Sequence, residues 1–147
     1  KALLMVLGGQ SGRLFTEIRD RQGLCYTVSP ISFEGVDRGY VGVYIGCEPA
    51  KLEQAVKAIR RELDRIATTL VSARELDRAK TFILGRHDMD MQLNSTIAAT
   101  ASLNVLYGFG PEEQFKWPEY FKQVTVRDVK NLAQELFTQP SVTALVV

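Results

Sequence analysis

The stretch Arg13 to Tyr26, Arg-Leu-Phe-Thr-Glu-Ile-Arg-Asp-Arg-Gln-Gly-Leu-Cys-Tyr, constrains the fold of this chain more than any other. Leu14, Phe15 and Ile18 recur at helical spacing and predict one apolar stripe that faces inward. Arg13, Glu17, Asp20 and Arg21 fall mainly on the other face. Gly23 suits the left-handed position that closes a helix. Leu24 to Phe33 then alternates like a strand. A helix that stops at Gly23 and runs straight into a strand brings Arg19 and Tyr26 to one corner. A cation and a phenol held together there suit the binding of a carbonyl or an oxyanion. The residues alone leave a plainer reading open. Arg19 is also a cation at a helix end, where positive charge is favoured in any case, and Tyr26 is also an ordinary strand tyrosine. Arg21 is a second cation close to Tyr26.

The rest of the chain is read from periodicity and punctuation. Lys1 to Leu7 is an apolar run that periodicity cannot assign. Gly8 to Gly12 is glycine-rich and leads into a helix, a setting in which backbone amides cradle phosphate. It lacks both the Gly-Lys-Ser/Thr ending and the G-x-G-x-x-G spacing of phosphate loops. Tyr40 to Cys47 alternates as a second strand, and Glu34 to Gly39 is the turn of a hairpin with Leu24 to Phe33. Gly42 and Gly46 leave one strand face thin, which suits close helix packing. Pro49 opens a helix whose stripe is Leu52, Ala55, Val56, Ile59, Leu63 and Ile66, with Glu62 and several arginines and lysines on the outer face.

Ser72 and Glu75 have the spacing of a capping box, and Leu76, Ala79, Ile83 and His87 continue one face of the helix that follows. Asn94-Ser95 marks a break. Ile97 to Tyr107 is helical again and ends at Gly108. An aromatic segment (Phe115, Trp117, Tyr120, Phe121) follows. Thr125 and Asp128 cap a last helix with the stripe Val129, Leu132, Ala133, Leu136 and Phe137. Pro140 ends it, and Val142 to Val147 predicts a final strand. The order defines an α+β protein, with helices packed on one face of a largely antiparallel sheet.

With 147 residues, 1–147 is expected to be a single domain. A chain of this size buries roughly 70% of its unfolded surface and needs no covalent staple. The formal net charge of +1 gives no electrostatic reason to expect nucleic acid or an anionic membrane as partner. No apolar run approaches the roughly 18 residues of a membrane span. Lys1 is not an initiator Met and no signal peptide is visible, so the chain is expected to be processed or cut from something longer. Compartment stays open, cytoplasm or periplasm. Cys25 and Cys47 lie in two apparent strands. A disulfide is conceivable if those strands pair, and two sheet thiols are equally ordinary. They do not have a metal-ligand spacing.

The pattern R-L-F-x-E-x-R-x-x-x-G-L-x-Y resembles the signature of the non-zinc half of the pitrilysin/insulinase family of zinc peptidases, to which the processing peptidases and their bacterial relatives belong. Three further tracts resemble the family in the same order. These are Ser72 to Gly85, then Leu106-Tyr107-Gly108, then Val124 to Val129. The apolar end, Val142 to Val147, resembles its last strand. The resemblance implies that Lys1 to Leu7 is the tail of a helix, and that N-terminal strands of the family domain are lacking here or come from elsewhere.

It also implies a division of labour. The family's zinc site needs an inverted H-x-x-E-H motif, and this chain has one histidine, His87. No arrangement of His87, Asp88 and Asp90 supplies that motif, and His87 reads as structural. No cofactor is therefore expected in this chain. Zinc is expected in a partner domain or subunit that carries H-x-x-E-H, and the isolated chain is expected to be inactive. By resemblance, Arg19 reaches a substrate carbonyl or carboxylate, and Tyr26 donates to the oxyanion of peptide hydrolysis, both at the zinc site of that partner. The chain would wall a peptide chamber, as part of a homo- or heterodimeric assembly. Arg13 matches a frequent family residue with a structural role. The rival from another class is a proteolytically inactive assembly subunit of the same fold, like the core proteins of the respiratory bc1 complex.

Overall fold

The computed structural model describes residues 1–35 and 37–146. Its elements are α1 (Ala2–Leu7), a π-helix (Phe15–Asp20), β1 (Thr27–Glu34), β2 (Gly39–Gly46), a 3-10 turn (Pro49–Lys51), α2 (Leu52–Thr68), α3 (Ala73–Asp90), α4 (Asn94–Leu106), α5 (Glu113–Lys122) and α6 (Val126–Phe137). The expected α+β plan holds, reduced to one antiparallel pair of strands among the described residues. Thr27 faces Gly46 and Glu34 faces Gly39 at the two ends of the ladder.

Helix α1 is an internal element, with Ala2, Leu3, Val6 and Leu7 buried. Gly8 ends it hard against β1. A Cβ at Gly8 would stand 2.7 Å from the Pro30 ring, so only glycine permits that approach. Leu14, Ile18, Leu24 and Val28 carry the core through the corner, and Ile66, Leu76 and Val129 continue it across α2, α3 and α6. Both anticipated capping boxes form. Ser72 accepts from the amide of Glu75, and Thr125 accepts from that of Asp128.

Three expectations are corrected. The first concerns the sheet faces. Val28, Pro30 and Ser32 share a face with Ile45, Val43 and Val41, and buried Val28 marks that face as the one turned to the core. Gly42 and Gly46 lie on the other face, beside exposed Phe33, Tyr40 and Tyr44. The glycines therefore thin a face on which no helix of the described residues packs. Phe33 and Tyr40 stack there with ring centroids 5.9 Å apart.

The second concerns α2. Its buried stripe runs through Ala55, Ala58, Glu62 and Ile66, so Glu62 is an interior residue with 2% exposure. Helix α6 packs against α2, and Ile59 and Leu63 of the expected stripe lie half-buried against the core. Leu132, placed in the stripe of α6, is exposed instead.

The third concerns the last strand. Residues 141–146 have no regular structure, and Val142 and Val146 are 96% and 94% exposed. Val147 lies outside the described residues. A strand exists only where a neighbour takes up its backbone hydrogen bonds, and the described sheet ends at β1 and β2.

Candidate functional site at the helix-strand corner

Residues Phe15 to Asp20 wind as a π-helix, where an ordinary α-helix was expected. The Arg21 amide donates to the Thr16 carbonyl at 3.1 Å, the i to i−5 pattern of this geometry. The Thr16 hydroxyl bonds back to the Gly12 carbonyl at 2.8 Å, a local competitor of the α-helical ladder. Closure is widened in step. Gly23 donates to Arg19 at 2.9 Å and Leu24 donates to Ile18 at 3.1 Å. Each bond spans one residue more than in the usual glycine-terminated Schellman motif. Gly23 has φ +60°, as the sequence predicts for the closing residue.

The strand starts later than the alternation predicts, at Thr27, because Leu24 is taken up by the helix closure. Tyr26 donates its amide to the Gly46 carbonyl at 2.9 Å, although Thr27 is already the partner of Gly46. Two residues thus face one, the arrangement of a β-bulge, which turns a side chain away from its regular direction. Tyr26 ends 84% exposed.

Arg19 and Tyr26 do share this corner. The guanidinium carbon of Arg19 lies 6.0 Å from the Tyr26 ring centroid and 4.5 Å from that of Phe15. The closer contact is a cation on an aromatic face, and the longer one sits at the outer limit of such an attraction. Phe15 was read only as a core residue. Its ring is half-buried and holds Arg19 from below. The signal was present in the sequence as an i, i+4 pair on one helix.

The two neighbouring arginines are committed elsewhere. Arg21 pairs with Glu17 at 2.8 Å, and Arg13 pairs with Glu75 at 2.7 Å. Among the described residues, Arg19 makes no ion pair with a carboxylate. Arg19 does lie in the last turn of its helix, where positive charge is favoured, and it is the arginine of the corner without a carboxylate partner among the described residues. Burial pushes the Cys25 thiol above its usual range, the neighbouring Cys47 adds to the shift, and Arg19 opposes it. Both thiols are free and half-buried.

Nothing else predicted as chemistry gathers here. The Gly8 and Gly12 amides already donate to Leu4 and Gly9, so the glycine-rich turn does not present them to an anion. His87 packs on Trp117 with ring centroids 5.3 Å apart. Among the described residues no three His, Cys, Asp or Glu side chains converge as a metal-binding set. No helix among the described residues is long and apolar enough to cross a membrane.

Comparison with known proteins places the chain in a family. Residues 1–83 match the peptidase M16 inactive domain, and the chain belongs to that family. It is 36% identical to a zinc protease of Streptomyces coelicolor over 92 residues, covering 59% of this chain and 20% of that protein. It is 28% identical over 143 residues to a zinc protease of Rickettsia felis, covering 95% of this chain and 34% of that one. The chain thus spans between a fifth and about a third of the length of these curated relatives. The crystal structure of a peptidase M16 inactive domain from Pseudomonas fluorescens superposes with a TM-score of 0.81 at 20% identity, over 92% of this chain and 33% of that one. That likeness establishes the fold.

Proposed function

We propose that residues 1–147 form one domain, the C-terminal part of the non-zinc half of a zinc-dependent peptidase. The zinc belongs to a partner half bearing H-x-x-E-H, and the substrate is an unfolded peptide held between the two. This chain contributes binding and charge stabilisation. The Arg19 fork donates to a backbone carbonyl or carboxylate of the peptide and fixes its position. The Tyr26 hydroxyl donates to the oxygen that gains negative charge as the peptide bond is broken. A donor aimed at charge that develops in the transition state lowers the barrier more than it tightens substrate binding.

One observation carries this reading. Arg19 is the arginine of the corner without a carboxylate partner among the described residues, and it stands beside a tyrosine that is 84% exposed. Tyr26 is more exposed than the sheet tyrosines Tyr40 and Tyr44, at 59% and 56%, and the other two arginines of the corner are paired. The π-turn and the bulge give both groups their direction, and such irregularities concentrate at functional sites.

The test is cleavage of a quenched fluorescent peptide by the assembled halves, with Tyr26 compared with Tyr26→Phe. A fall in turnover of about 100-fold with the fold intact is expected. Equal rates would remove Tyr26 from the reaction and leave the domain as a chamber wall. No cleavage of any of several peptides by the unmodified assembly would favour the inactive assembly subunit.

A further inference from the structure

Cys25 and Cys47 are the two cysteines of the chain, and the β-bulge at Tyr26 decides how they stand to each other. An unbroken ladder counted back from the Thr27 and Gly46 pair would set Tyr26 against Cys47 and Cys25 against Glu48. It would also turn Tyr26 to the core face and Cys25 to the outer one, because side chains alternate along a strand. The structure shows the reverse. Tyr26 and Thr27 both face Gly46, so Cys25 is the next residue back and takes the place opposite Cys47. Tyr26 is 84% exposed, while Cys25 packs against the core with Cys47, Val43 and Ile45. The Cys47 thiol is near enough to add to the rise that burial gives the Cys25 thiol. Both thiols are free. Residues directly opposite on antiparallel strands have Cα atoms about 4.5–5.5 Å apart, within the roughly 4.4–6.8 Å that a disulfide spans.

We propose that Cys25 and Cys47 are a reversible disulfide site that closes the open end of the hairpin and locks the bulge. The oxidant is a small-molecule disulfide. One cysteine, as thiolate, attacks a sulfur of that disulfide, a mixed S–S bond forms, and one small thiolate leaves. The second cysteine, as thiolate, attacks the protein sulfur of the mixed disulfide, and the Cys25–Cys47 bond forms as the second small thiolate leaves. The two protons given up by the protein thiols end on the two released thiols. The protein loses two electrons and the small disulfide gains them. In the reduced chain the Tyr26 amide on the Gly46 carbonyl holds this end of the ladder, and the covalent bond lies one residue beyond it. The bulge turns Tyr26 outward, so oxidation fixes the direction of the residue assigned to the oxyanion. That effect on Tyr26 rests on the proposed function, and the disulfide itself does not.

The test is treatment of the folded protein with oxidised glutathione, followed by N-ethylmaleimide and tryptic digestion without reduction. Arg38 lies between the two cysteines, so trypsin separates them into peptides 22–38 and 39–51. The two peptides are expected joined, from the single-chain band of a non-reducing gel, and separate after reduction. Peptides that carry glutathione or N-ethylmaleimide instead, or a joined pair found only in a dimer band, would overturn the proposal. Hydrogen exchange of the Tyr26 amide tests the lock. It should slow about tenfold on oxidation, because the opening that breaks its bond to Gly46 then works against a covalent link. An unchanged rate would overturn the lock. Neither readout uses peptidase activity, so failure here is distinct from a failure of Tyr26→Phe to lower turnover.

Discussion

Arg13 and Glu75 stand 62 residues apart in sequence and meet through two hydrogen bonds, Nε to Oε1 at 2.7 Å and Nη2 to Oε2 at 3.1 Å. The pair ties the start of the π-helix segment to the first turn of α3. Glu75 is at the same time the returning carboxylate of the Ser72 capping box. One side chain therefore closes a helix end and anchors the corner that holds Arg19.

This pair gives the fold a predictable response to acid. The Arg13 guanidinium, helped by the Ser72 amide and hydroxyl against the effect of burial, lowers the Glu75 carboxyl from its ordinary value near 4.5 to about 2. A depressed carboxyl contributes stability that is complete above the unfolded value and is lost as pH falls through the folded one. Stability should therefore decline between about pH 4.5 and pH 2, by on the order of 2 kcal/mol from this group. Glu75→Gln should lose a similar amount at neutral pH and flatten that part of the profile. Urea unfolding of both proteins across this range is the check, and parallel profiles would show that Glu75 is not the group responsible.

Gly23 is the hinge of the corner. Its φ of +60° lies in the left-handed region, and nothing stands within 4 Å of the position a Cβ would take. The cost of Gly23→Ala is thus one of backbone conformation alone, about 1 kcal/mol. Gly23→Asn should cost less, since asparagine tolerates this conformation. Denaturant midpoints for the two variants test the order, and an alanine variant as stable as the original would mean that the closure does not need a left-handed residue.

Glu62 is a carboxylate in the interior whose one ion-pair partner among the described residues, Arg65, is distant at 3.6 Å. Its Oε2 has no hydrogen bond. Replacing a poorly satisfied buried charge by an apolar side chain of similar size is often neutral or stabilising. Glu62→Met should therefore raise the stability by about 1 kcal/mol, a gain of a few degrees in Tm. A lower Tm would show that the carboxylate has a stronger partner than Arg65.

Phe15 positions Arg19 without touching substrate in the proposed arrangement. Phe15→Leu keeps an apolar side chain and removes the aromatic face under the guanidinium. In the assembled peptidase it should raise KM several-fold with kcat little changed, because Arg19 is assigned to holding the peptide throughout the reaction. Tyr26→Phe should act on kcat instead. The opposite split would exchange the two roles.

What the sequence determined by itself was local. The capping boxes at Ser72 and Thr125, the left-handed Gly23, the hairpin and the Arg19 to Tyr26 corner all follow from residues a few positions apart, because helices, caps and turns close their hydrogen bonds over short spans. The family was legible from the spacing of four tracts for the same reason. Tertiary structure decided what depends on distant neighbours. Counting apolar side chains put Glu62 outside, and the tertiary packing of α2 buries it. The alternation of β2 did not say which face the helices take, and the burial of Val28 did. Val142 to Val146 has the composition of a strand, yet a strand is a property of two segments, and none of the described residues lies beside it as a partner. Which of three arginines stays available was also beyond the sequence. Only the fold brings Glu75 to Arg13, 62 residues away in sequence, while Arg19 lies by Phe15 and Tyr26.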